Sequence, residues 1–136
     1  MGLDVGSNTF GVFHVNWAGS RSFMEWCRKE GLPDPFIGWV SGDNSGDECI
    51  LGPDSVHTRQ ANAWCRALDE LHPELAELGK EIIRQQSMIN PYEYLYPNGR
   101  GSDKPLPEEE WKRRAVGLWY AILKHGVEHG DTLAYW

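Results

Sequence analysis

Three groups of residues in this sequence have types and spacings that chemistry can use. The first is the turn Ser7-Asn8-Thr9, where two hydroxyls flank an amide. Successive backbone N–H groups in such a turn can point at a single anion. The second is Ser41-Gly42-Asp43-Asn44-Ser45-Gly46-Asp47-Glu48, the most polar, glycine-rich stretch of the chain. Its oxygens are of the kind a calcium loop uses, but the twelfth position counted from Asp43 is Asp54, not Glu, and the flanking helices are too short. It reads as a solvated turn with carboxylates and amides on offer. The third is His125 and His129, four apart and able to face one way on a helix and grip a metal. They lack the Glu spacing of a metalloprotease, and Gly126 and Gly130 place them at a fraying helix end. Last-turn histidines beside the negative end of a helix dipole are therefore expected, and no metal or cofactor is.

Acid and base groups are plentiful: Asp4, His14, Asp43, Asp47, Glu48, His57, His125 and His129. None falls in a Gly-x-Ser-x-Gly elbow, a P-loop or a Gly-x-Gly-x-x-Gly turn, so the residues favour binding over catalysis. Seven Trp and five Tyr supply flat surfaces. Trp17, Trp26, Trp39 and Trp64 lie near polar segments containing Ser7, Asn8, Thr9, Arg21, Ser41, Asp43, Asn44 and Arg59. That set suits a nucleotide: a ring for the base, carboxylate or amide for ribose hydroxyls, N–H groups and Arg for phosphates. The expected ligand site is Ser7, Asn8, Thr9, Trp17, Arg21, Trp39, Ser41, Asp43, Asn44 and Arg59.

The elements that must position these residues can be read from pattern. Gly2–Val5 and Phe10–Val15 read as the strands of an N-terminal hairpin. Ser22-x-x-Glu25 is a capping box and predicts a helix over 22–30, with Phe23, Trp26 and Cys27 on one face. Phe36–Val40 is a compact apolar run and predicts a central strand, and Cys49–Leu51 a further short one. Trp64, Leu68, Leu71, Leu75, Leu78 and Ile82 form a helical stripe interrupted by Pro73, which predicts a kink or two abutting helices. The stripe serves as core or as a dimer seam, so a homo-oligomer is open. Residues 88–106, rich in Tyr, Pro and Gly, read as a long loop or insertion. Pro107 with Glu108, Glu109 and Glu110 starts a last helix, with Trp111 on its buried face, ended by Gly126 or Gly130. Residues 132–136 read as a final strand. The expectation is one α+β domain over 1–136, a small mixed or antiparallel sheet against three to four helices.

Bulk properties narrow the partners. Thirteen Lys and Arg against 20 Asp and Glu leave a net charge of −7. That argues against nucleic acid, whose phosphates need clustered cations, and against an anionic membrane. The three cysteines are widely spaced and suggest neither a zinc cage nor a disulfide framework. No signal-peptide pattern opens the chain, and no apolar run approaches the ~18 residues of a membrane span. A cytoplasmic protein is expected.

Two resemblances add to this. Asp4-Val5-Gly6-Ser7-Asn8-Thr9 is similar to the first phosphate loop of the sugar-kinase, actin and exopolyphosphatase superfamily. That likeness covers the turn and its flanks alone and implies a phosphate site there. More broadly, Met1 to Val5, then Trp17, Gly19, Ser22, Phe23 and Trp26, the loop at 41–47, and Gly130, Asp131, Leu133 and Tyr135 resemble a family of small proteins encoded by phages and prophages. The chain departs from that pattern in the Gly6–Asn16 stretch, where a His usually follows Asp-Val, and in the longer insertion at 88–106. The family brings no established activity. The resemblance implies a compact α+β fold and a bacterial host cell. Together these readings lead to the expectation of a phage-derived sponge that sequesters a nucleotide-type immune signal. A protein–protein inhibitor of a host factor and a small phosphate-ester hydrolase are the alternatives.

Overall fold

Asn16 ends one element and begins the next, and the fold is organised around that junction. The computed structural model describes residues 2–37, 48–53, 55–99 and 101–135. Strand β1 (Gly2–Ser7) and strand β2 (Gly11–Asn16) form the hairpin, paired from Gly2↔Asn16 to Ser7↔Gly11. Alternation sorts their side chains. Val5, Phe13 and Val15 are buried. Asp4 and His14 are directly opposite on the other face, with Oδ1 and Nδ1 2.7 Å apart. Strand β4 (Thr132–Tyr135) pairs with β1, and strand β3 (Glu48–Ile50) pairs with β4. The sheet is antiparallel throughout, in the order β2-β1-β4-β3.

Among the described residues five α-helices accompany it: α1 (Trp17–Lys29), α2 (Val56–Leu71), α3 (Pro73–Arg84), α4 (Pro91–Leu95) and α5 (Glu108–His129). This is the expected α+β fold. The helix number exceeds the expected three to four for two reasons. The apolar stripe divides at His72, and Pro73 opens a new helix because its missing N–H is no loss in a first turn. The 88–106 segment also contains α4, which Asn90 caps by accepting from Tyr92 N–H (2.9 Å) and Glu93 N–H (3.2 Å).

Two local expectations change. Helix α1 starts at Trp17, not at the capping box of Ser22. Asn16 leaves β2 with extended dihedrals and its side chain accepts from Gly19 N–H at 2.7 Å, so the helix is capped before Ser22 is reached. Phe36 and Ile37 lie in a turn rather than a strand; residues 38–40 fall outside the described set.

Helix α5 is the hub. It packs against α1, α2, α3 and α4, and every residue from Ala115 to Leu123 is buried. A helix apolar on nearly all sides belongs in a core. Phe23 of α1 meets Phe36, Trp64 and Trp119 edge-on at 5.8, 6.2 and 6.1 Å between ring centroids, the arrangement ring quadrupoles prefer. Cys27 and Cys65 are free and buried, and burial pushes both thiols up to about 12. Such thiols stay protonated and unreactive at neutral pH. Gly130 takes a left-handed conformation (φ 65°), ends α5 and turns the chain into β4. Among the described residues no helix is long and apolar enough to cross a membrane.

Candidate functional site

The two ends of α5 carry different chemistry. Trp111 near its start and His125 near its end are 14 residues apart, about 20 Å along the helix axis.

At the start of α5 lies a groove of about 410 Å³. Its walls come from three elements that short-range rules bring together. Helix α1 contributes Ala18, Gly19 and Ser22; α4 and the loop after it contribute Leu95, Tyr96 and Asn98; α5 contributes Glu108 and Trp111. Helix α4 is anchored by Arg114, which donates to Tyr94 O (2.9 Å) and lies over the Tyr94 ring at 5.1 Å. That anchor sets Tyr92 and Tyr96 one turn apart, with ring centroids 5.5 Å from each other, and brings Tyr96 to 6.3 Å from Trp111. The Tyr96 hydroxyl accepts from Asn16 N–H at 3.2 Å, which ties α4 to the strand–helix junction. Asn98 Nδ2 donates to Lys104 O (2.8 Å) and holds the following loop in shape. Across the mouth, Ser22 Oγ donates to Glu108 Oε1 at 3.2 Å.

Gly19 makes the fit possible. A Cβ there would lie 2.7 Å from the edge of the Trp111 ring, so only a residue without one lets α1 and Trp111 meet. Trp111 is half-buried, and its indole Nε1 is inaccessible and without a hydrogen-bond partner among the described residues. Glu108 is the one charged side chain among the described lining residues. The site therefore offers two aromatic faces, a few neutral polar groups and one carboxylate at the rim.

At the end of α5, the β1–β2 turn closes over the last helical turn. Thr9 Oγ1 donates to Asp131 Oδ2 at 2.6 Å and lies 3.1 Å from His125 Nδ1. Thr132 Oγ1 donates to Asn8 Oδ1 at 3.0 Å, and Ser7 Oγ accepts from Phe10 N–H at 3.2 Å. The His129 ring stacks on His125 with centroids 3.9 Å apart and planes 11° from parallel. Among the described residues no group of three or more His, Cys, Asp and Glu side chains could hold a metal ion.

No protein-family model, curated protein or solved structure matches this chain.

Of the residues expected to hold a ligand, Ser7, Asn8, Thr9, Arg21 and Arg59 have described side chains, and none of these five lines the groove. The side chains of Ser7, Asn8 and Thr9 are committed to the corner, and a phosphate there would face the Asp131 carboxylate that already takes the Thr9 proton. Arg21 is exposed on α1 and Arg59 is exposed in the first turn of α2. Trp17 opens α1, and only its backbone is described; Trp39, Ser41, Asp43 and Asn44 lie outside the described residues. The Tyr-rich segment 88–106, which pattern reads as a loop or insertion, contributes Tyr96 to the groove. Sequence reasoning placed Trp111 wholly in the core and passed over Gly19 as a structural element. The signal for Gly19 was a small residue two positions after Trp17, in the first turn of a helix, where propensity alone disfavours it.

Proposed function

We propose that this chain is a small-ligand-binding protein whose groove between α1, α4 and α5 holds a flat ring, the base of a nucleotide-type ligand being one instance. One observation carries the reading: a cavity of about 410 Å³ walled by Tyr96 and Trp111, with amide, hydroxyl and carboxylate groups around it. Cavities that hold small molecules are mostly apolar, with a few placed polar groups, and start near 300 Å³. The aromatic faces take the ring, while Ser22, Asn98 and Glu108 are within the same lining to meet hydroxyls or amines. The described lining contains no cation. An anti-defence role, expected from the phage-like framework, would act through ligand capture here and needs no catalytic group.

The experiment is a thermal-shift and calorimetric panel of nucleobases, nucleosides and the corresponding nucleotides. A ligand at ten times its Kd adds about 1.4 kcal/mol of stability, which moves the melting point by a few degrees. The expected result is saturable binding by ring-bearing members, lost in Tyr96→Ala. If no member stabilises the protein at millimolar concentration, the proposal is wrong.

A further inference from the structure

The indole N–H of Trp111 is a buried hydrogen-bond donor with no acceptor among the described residues. A buried donor left unpaired is costly, and folded proteins retain few of them. This one belongs to a residue that walls a cavity. The Cζ2 and Cη2 atoms of the same ring press toward Gly19, and Cζ2 is joined to the carbon that bears Nε1. The donor side of the ring is therefore the side turned to the start of α1. Two oxygens of this junction accept from backbone N–H groups, Asn16 Oδ1 from Gly19 and the Tyr96 hydroxyl from Asn16, and neither partners Nε1. On its other side Trp111 borders an apolar void lined by Phe13, Val15, Phe23 and Leu118, which supplies no oxygen or nitrogen acceptor from a side chain.

We infer that Trp111 Nε1–H is the specificity-determining donor of the groove, and that its ligand carries a hydrogen-bond acceptor, a ring nitrogen or a carbonyl, on the edge of its flat ring. The inference rests on the groove being a ring site and names the chemistry the ring must have. A purely hydrocarbon ring leaves the donor unpaired; an aza or oxo ring satisfies it. Nε1 is buried in the free protein, so pairing with a ligand requires the indole to turn its N–H edge toward the groove.

The test compares isoquinoline, with one ring-nitrogen acceptor, and naphthalene, its hydrocarbon counterpart, on the full chain at pH 8. The expected preference for isoquinoline is about two- to tenfold, the worth of one net hydrogen bond. With isoquinoline the Trp111 indole N–H proton resonance moves downfield; with naphthalene it does not. In Trp111→Phe the preference disappears. If both rings bind equally and the indole proton stays in place, this inference falls while the ring site stands. If neither ring binds, the ring site itself falls. The resonance shift is read on the unmodified protein, so the outcome does not depend on the variant folding.

Discussion

The two ends of α5 show how a polar cluster and an apolar groove differ in what they have left to give. At the C-terminal end, Thr9 donates to Asp131 and lies against His125, and Thr132 donates to Asn8. Chemistry-bearing side chains are abundant there, and their bonds join the hairpin turn to the helix end. At the N-terminal end the side chains are plainer, but a cavity remains open and a buried donor remains unpaired. Richness in functional groups is thus a poor guide to function; unspent capacity is the better one.

The comparison can be broken by substitution. Asp131→Ala should have the largest effect on the fold. It removes the carboxylate that Thr9 Oγ1 donates to in a partly buried site, and losing a hydrogen bond to a charged group costs about 1.5–3 kcal/mol. Chemical denaturation should show that loss while ring binding stays at the unmodified level. A fall in ring affinity with no loss of stability would reverse the two assignments. Gly19→Ala comes next. Its new methyl meets the Trp111 ring at 2.7 Å, so overpacking of about 1–3 kcal/mol and weakened ring binding should appear together, in calorimetry and in the melting curve. Tyr96→Phe keeps the ring and removes the oxygen that accepts from Asn16 N–H. A loss of about 0.5–1.5 kcal/mol in stability is expected, with ring affinity within about twofold of the unmodified protein.

Most of the fold was legible in the sequence because its signals are local. The hairpin, the break at Pro73, the acidic start of α5 and the stop near Gly130 each depend on a few neighbouring residues. The early start of α1 was missed because two capping patterns competed and the nearer strand end decided the matter: Asn16 arrives with the dihedrals of a cap. The site was harder to read. The meeting of Gly19 with Trp111 joins residues 92 positions apart, and periodicity assigns Trp111 to a core face without showing that one side of the ring is left uncovered. Ser7, Asn8 and Thr9 were singled out correctly as a polar turn. What no local pattern shows is that His125, Asp131 and Thr132 return to meet Asn8 and Thr9.

Alkali probes a third part of the molecule, the buried thiols, outside the comparison of the two ends. Cys27 and Cys65 rise from 9.0 to about 12 in the folded state because burial penalises the thiolate. Between those values the unfolded chain has lost protons that the folded chain retains, so stability falls as pH rises from 9 toward 12. Denaturant midpoints should show a gradual decline over that window. Because both thiols are remote from the groove lining and from the corner's hydrogen bonds, Cys65→Ala should flatten part of the decline without moving the contrast between the two ends.

The most direct test is an amide and indole NMR titration with a purine nucleoside. The account predicts that the signals of Ala18, Gly19, Asn98 and Gly99 and the Trp111 indole N–H move together along one saturation curve, while Thr9, Asp131 and Thr132 stay fixed. Perturbations centred on Thr9 and Asp131, with the groove unmoved, would contradict it.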